Sequence, residues 1–152
     1  MSRDEIFAAI PHREPFLLID EIVERSEKRI VCRKTWRPDE WFYPGHYPSF
    51  AVTPGVLLCE AAMQAGAVLV APQLPRDGRV PVVARLQDVR FKRMVRPGET
   101  VLLEVELKER LADAFYMRAR VTCGDELVVR FEFTATLVPA PVGAPASASP
   151  EA

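Results

Sequence analysis

Two residue types able to move protons stand fourteen positions apart in this chain, His46 and Glu60. A neutral imidazole takes up a proton near pH 7, and a carboxyl group in apolar surroundings holds its proton more tightly than it does in water. Such a pair suits a reaction that removes one proton and delivers another. His46 lies in the tight loop Pro44-Gly45-His46-Tyr47-Pro48 and is one of only two histidines. Glu60 interrupts a run that is otherwise apolar, and Gln64 follows one helical turn later on the same face. Taken singly, each residue reads as structural: a hydrogen-bonded histidine, an internally satisfied carboxylate. Together, beside a helix start that opens with Gly55, they read as an acid–base site.

The element that must position this pair is a helix from Pro54 to Pro72. Thr53 is placed to act as N-cap, Pro54 suits the first helical position, and Pro72 ends the run. Val56 to Val70 shows no polar face, so the helix belongs inside something. Its length is near that of a membrane span. Glu60 and Gln64 nevertheless leave only four apolar residues before them and seven after, which favours the core of a soluble protein over a span.

Around the helix, alternation predicts strands. A short helix over residues 3–9 precedes the extended Pro11-His12-Arg13-Glu14-Pro15 turn, where His12 reads as a structural residue. Strands are expected over Phe16–Glu24, Arg29–Trp36, Val80–Val95, Val101–Leu107, Phe115–Cys123 and Leu127–Leu137. Gly124-Asp125 marks a hairpin turn between the last two. Six of the thirteen aromatics fall between Trp36 and Phe50: Trp36, Trp41, Phe42, Tyr43, Tyr47 and Phe50. They suit either a satellite core beneath a loop or an apolar wall for a long-chain substrate, and both readings stand for different members.

The same stretch resembles the 3-hydroxyacyl-[acyl-carrier-protein] dehydratases of the FabZ type, in the hotdog superfamily. That family carries G-H-F-P-G-x-P-V-M-P-G-V and a glutamate fourteen residues after its histidine. Here Gly45-His46-Tyr47-Pro48-Ser49-Phe50-Ala51-Val52-Thr53-Pro54-Gly55-Val56 leads to Glu60 without a gap. The likeness continues in Ile10-Pro11-His12-Arg13-Glu14-Pro15-Phe16, in Arg90-Phe91-Lys92-Arg93 and in Arg96-Pro97-Gly98, and covers residues 5–138. Three positions depart from it: Ser49 for the family's Gly, Ala51 for its Pro and Thr53 for its Met.

The resemblance implies an α+β hotdog fold, an antiparallel sheet of about six strands wrapped around one long central helix. It implies dehydration of a 3-hydroxyacyl thioester to the trans-2-enoyl thioester, in fatty acid synthesis or a related lipid or polyketide route. His46 would be the base and Glu60 the acid, with Gln64 positioning Glu60 or a water. The Gly55 N–H would face the thioester oxygen, and Tyr47 and Phe50 would line the substrate. It implies no cofactor, since the pantetheine arrives with the substrate, and a carrier protein or coenzyme A as the thioester's bearer. Arg90, Lys92, Arg93 and Arg96 form the one local concentration of charge, a solvated strand face unless they receive that carrier. The family builds each site across a homodimer, with a trimer of dimers as a larger assembly. A hotdog thioesterase and a non-catalytic, channel-shaping hotdog subunit are the rival readings. The first lacks the histidine loop, and the second characteristically loses one member of the pair.

Composition agrees with a single enzyme domain. The 152 residues suffice for one core, over residues 1–138, followed by a Pro/Ala/Ser-rich tail over 139–152 expected to be disordered. A net charge of -1 argues against nucleic acid or an anionic membrane surface as partner. Three cysteines without paired spacing suit reduced thiols in a cytoplasm, the N-terminus shows no signal-peptide core, and no metal-ligand spacing occurs.

Overall fold

The computed structural model describes residues 3–141. Helix α1 (Arg3–Ala9) leads through an irregular segment into strands β1 (Glu21–Arg25) and β2 (Arg29–Thr35). A 3-10 turn (Tyr43–Gly45) and a loop then deliver the chain to helix α2 (Gly55–Val70) and a second 3-10 turn (Ala71–Gln73). Strands β3 (Arg79–Phe91), β4 (Thr100–Leu111), β5 (Ala114–Cys123) and β6 (Glu126–Pro139) follow within the described residues. The six strands form one antiparallel sheet in the order β1-β2-β4-β5-β6-β3. Its inner face curls around α2, the hotdog arrangement.

Alternation explains which faces meet. Val101, Leu103 and Val105 of β4, Phe115, Met117, Ala119 and Val121 of β5, and Val129, Phe131 and Phe133 of β6 are buried. Their neighbours along each strand point outward, as a period of two requires. Helix α2 meets this face with small residues, Ala61, Ala62, Ala65 and Gly66, all buried. A Cβ on Gly66 would sit 2.7 Å from Phe133 Cζ and 3.1 Å from Met117 Sδ, so the close approach of helix to sheet depends on glycine there. The helix is long and apolar enough to span a membrane, but it is packed on the sheet as the core element.

The helix is not enclosed on every side, as its composition suggests. Val56 is 72 % exposed, and Glu60, Met63 and Ala67 are only partly covered. These four recur at helical spacing and form one stripe that the chain's own sheet leaves open. The sheet has a matching open side. β3 pairs only with β6, so its other edge presents unpaired backbone groups, and Val80, Val82, Val83, Leu86, Val89 and Phe91 along it are exposed.

Several boundaries differ from the sequence reading. Residues 16–20 are not in a strand; Leu17, Leu18 and Ile19 are buried in irregular backbone that passes close to α2. The strand expected over Val80–Val95 stops at Phe91, where the N–H groups of Lys92 and Arg93 both turn to Val128 O. β6 runs on through Pro139, beyond the expected domain end at 138, and Ala140 N–H bonds to Gly78 O. The remainder of the expected disordered tail, from residue 142, lies outside the described residues.

Candidate active site

His46 terminates the 3-10 turn that begins at Tyr43, and its backbone N–H donates to Tyr43 O at 3.3 Å. Its ring is fixed by the Nδ1–Val52 O contact at 3.0 Å. A carbonyl oxygen can only accept, so Nδ1 carries the hydrogen, and in the neutral ring the lone pair falls on Nε2. That is the form a general base requires. The Tyr47 ring stands edge-on to His46 at 5.0 Å between centroids, on a residue held at φ 51°. This left-handed backbone is costly for a bulky residue and is kept by its surroundings.

The aromatic cluster divides between its two readings. Trp36, Phe42 and Tyr43 are core, 0 %, 6 % and 5 % exposed, and pack edge-on or tilted against one another. Trp41, Tyr47 and Phe50 are exposed at 55 %, 64 % and 45 %, so these three are the candidates for a substrate wall.

Gly55 opens α2. The first helical bonds run from Leu57 and Leu58 N–H to Pro54 O, so the Gly55 N–H has no acceptor within the helix and lies at its positive end. Thr53 is not the cap expected from sequence. Pro54 occupies the cap position without a side-chain bond, and the Thr53 hydroxyl instead meets Tyr43 Oη at 2.7 Å. Phe91 lies against the helix start: a Cβ on Gly55 would fall 2.6 Å from Phe91 Cε1. The room that glycine leaves at the helix start is therefore taken up in part by this ring.

Glu60 lies on the open stripe of α2, with its side chain 25 % exposed rather than sealed in apolar surroundings. Gln64 holds it from one turn below, donating from Nε2 to Glu60 Oε1 at 3.1 Å. The same Nε2 donates to Phe16 O at 2.8 Å, while Gln64 Oε1 accepts from Leu18 N–H at 2.8 Å. Gln64 is thus a buried bracket between the helix and residues 16–18, and its amide also holds Glu60.

His12, read from the sequence as a structural residue, is brought to Glu60 by the fold. Its Nε2 lies 3.8 Å from Glu60 Oε1, and its Nδ1 is buried without a hydrogen-bond partner among the described residues. Burial lowers its proton affinity below the ordinary value, Glu60 raises it, and Arg13 lowers it again. The motif around His12 was visible in sequence, but its approach to a helix forty-eight residues on was not. His46 and Glu60 are not in contact within the chain: the partners of His46 are Val52 and Tyr47, those of Glu60 are Gln64 and His12. Two surface hollows, of about 150 and 230 Å³, contain neither residue.

A family model described as the FabA-like domain matches residues 10–132, which include His12, His46 and Glu60. The chain belongs to that family. Relatives share much of its length. It is 43 % identical over 107 residues to a 3-hydroxyacyl-[acyl-carrier-protein] dehydratase FabZ of Clostridium perfringens, covering 70 % of this chain and 77 % of that protein. It is 41 % identical over 132 residues to the FabZ of Staphylococcus epidermidis, covering 86 % and 91 %. Among solved structures, a chain of the dehydratase heterocomplex ApeI:P from Xenorhabdus doucetiae superposes with a TM-score of 0.76 at 16 % identity, over 89 % of this chain and 91 % of that one. This FabA-like protein has the hotdog fold, with its antiparallel sheet curled about one long helix.

The four basic residues expected to meet a carrier are not equivalent. Arg93 donates twice to Glu99, at 2.9 and 2.8 Å, and once to Glu126 at 3.1 Å, so its guanidinium is taken up in bracing the chain. Arg96 lies over the Phe50 ring at 4.7 Å. Lys92 is exposed. Arg90 stands directly opposite Arg130, which stands opposite Arg120 on β5. Three like charges in a cross-strand row repel, and none of them forms an ion pair among the described residues.

Proposed function

We infer that this protein is a 3-hydroxyacyl-[acyl-carrier-protein] dehydratase acting in fatty acid biosynthesis, with His46 as base and Glu60 as acid. The enzyme is a lyase: it removes water from a 3-hydroxyacyl thioester and leaves a trans-2-enoyl thioester. The observation that carries the site assignment is the His46 ring, whose Nδ1 is engaged by Val52 O and whose Nε2 is left to accept. Nε2 takes the proton from the carbon beside the thioester carbonyl. As that C–H bond breaks, negative charge grows on the thioester oxygen, where the Gly55 N–H and the helix dipole stabilise it. The C–O bond at the third carbon then breaks, and Glu60, as the carboxylic acid, gives its proton so that hydroxide leaves as water. Solvent exchange returns a proton to Glu60 and removes one from His46. No cofactor enters this scheme; the pantetheine is part of the substrate.

The scheme requires His46 and Glu60 to face one substrate, and we propose that a homodimer supplies this. A second copy set against the open edge of β3 pairs its backbone groups and covers Val82, Leu86 and the Val56–Glu60–Met63–Ala67 stripe. His46 of one subunit then meets Glu60 of the other; native mass separates such a dimer from a trimer of dimers. For the carrier we propose Arg90, Lys92 and Arg96, joined by Arg120 and Arg130, as the surface that meets its acidic side. We assign the protein to the cytoplasm on its three unbridged cysteines.

The test is direct. Purified protein is incubated with 3-hydroxyacyl thioesters of several lengths, on carrier protein and on coenzyme A, and the enoyl product is followed. Enoyl thioester made by the native chain and lost in Glu60→Gln supports the assignment. Release of free thiol instead identifies a thioesterase, and no turnover without a second hotdog chain identifies a channel-shaping subunit.

A further inference from the structure

We propose that the buried Tyr43–Thr53 hydroxyl pair is a positioning device for His46; this rests on the reading of His46 as the base. Tyr43 and Thr53 are 5 % and 3 % exposed, and their side-chain oxygens lie 2.7 Å apart. Around them runs a closed circuit. His46 N–H donates to Tyr43 O, Tyr43 Oη meets Thr53 Oγ1, Thr53 is bonded to Val52, and Val52 O accepts from His46 Nδ1. The circuit therefore grips His46 twice, once by its backbone and once by its ring.

The circuit is also tied to the body of the protein. Thr53 N–H donates to Val95 O at 2.8 Å, and Thr53 is followed directly by Pro54 and Gly55, where α2 begins. One residue thus sets the distance between the histidine ring and the N–H assigned to the thioester oxygen. Above the circuit the loop is exposed at Tyr47, Pro48, Ser49 and Phe50, so on that side only the exposed Tyr47 ring packs against His46 among the described residues. Burial raises the proton affinity of the Tyr43 phenol, with Glu40 and Glu99 acting the same way and the Thr53 bond opposing them. The phenol stays neutral and bonded. Thr53 stands where the resembling family has methionine, whose thioether offers only a weak acceptor to the Tyr43 hydroxyl.

Tyr43→Phe and Thr53→Val each remove one hydroxyl and leave the other buried without a partner. Each variant is expected to lower kcat roughly tenfold with little change in KM for a short soluble thioester, because misplacement of a base acts on the chemical step. Thr53→Ser keeps the hydroxyl and restores kcat. The double variant Tyr43→Phe/Thr53→Val falls no further than either single one, since all three lack the same bond. Imidazole nitrogen NMR on the folded protein gives a readout apart from activity. Only His12 and His46 contribute signals, and His46→Ala assigns them. The native spectrum shows His46 protonated on Nδ1, and both single variants show a mixture of tautomers.

A lower Tm with native kcat per folded enzyme and an unchanged His46 tautomer overturns the proposal, leaving the pair purely structural. Additive losses in the double variant overturn it too. Failure of the underlying reading looks different: His46→Ala itself then retains turnover.

Discussion

The half of the site around His46 makes its side-chain hydrogen bonds within residues 43–55 and is tied outward by Thr53 N–H to Val95 O, whereas the half around Glu60 draws on residues 12, 16, 18, 60 and 64. On the first side a short loop satisfies itself, and the loop's own backbone supplies the histidine's partner. On the second side the backbone groups that anchor the Gln64 bracket and a facing histidine come from a segment more than forty residues away. The difference teaches where each half is vulnerable. The proposed base, His46, is set by local hydrogen bonds and loop closure; the proposed acid, Glu60, is set by how the N-terminal segment docks on α2. Neither half reaches the other within one chain, so the open stripe of α2 and the open edge of β3 decide whether they work together.

Separating the two halves on different subunits is the largest test. His46→Ala or Glu60→Gln alone is expected to lower turnover by roughly 10²–10⁴-fold, the usual worth of a positioned acid or base. With the proposed shared-site homodimer, co-expression of His46→Ala with Glu60→Ala is expected to give mixed dimers that have one complete site and one empty one. About half the dimers are mixed, so roughly a quarter of native activity returns. Mixed dimers confirmed by mass and as inactive as either parent place both residues in one chain's site and break the comparison.

Gln64→Leu comes next and strikes only the acid half. It removes the bracket and leaves Leu18 N–H and Phe16 O without their partner, each orphan costing about 1–3 kcal/mol. The expected result is a clearly lower Tm and reduced turnover, with the His46 imidazole spectrum unchanged. A change at His46 of equal size would show that the halves are mechanically coupled.

His12→Phe is a smaller and pH-dependent perturbation. Burial holds folded His12 below its ordinary value of 6.5, so as pH falls from there the unfolded chain takes up its proton first. The stability tied to neutral His12 is therefore complete above pH 6.5 and declines below it. His12→Phe keeps an aromatic ring beside Phe16 and abolishes that decline; Tm measured between pH 7 and 5 should be flatter than for the native chain. The acid limb of turnover should move as well, since the ring nitrogen facing Glu60 is gone. Native behaviour on both counts would reduce His12 to packing.

The smallest effect concerns the support of the base half. Glu99, beside Arg93 and accepting from the Arg96 N–H, is lowered from 4.5 to about 2. It contributes stability that is present above pH 4.5 and lost as pH falls towards 2. Both side chains are near the surface, so solvent and salt screen the pair. Glu99→Gln should soften the acid limb of Tm slightly, and less so in high salt.

The base half was largely legible in the sequence. His46, Gly55 and the helix start are neighbours in the chain, and proline, glycine and apolar spacing report local backbone directly. Even there Thr53 was misassigned as a cap, because capping and a tertiary hydroxyl bond use the same group. The acid half was legible only as a polar pair on an apolar helix. Gln64's partners are backbone groups of residues 16 and 18, and a backbone carbonyl leaves no mark in a sequence.

The sequence by itself determined the six strands, the central helix and the spacing of His46 to Glu60, because periodicity and local turn chemistry act within a few residues. Only the tertiary structure decided that His12 faces Glu60, that Arg93 is committed to Glu99 and Glu126, and that the helix keeps one stripe open. Each of those depends on the curl of the sheet about α2 and on which surfaces remain uncovered when it closes. Such facts belong to the packed chain as a whole, and no window of residues contains them.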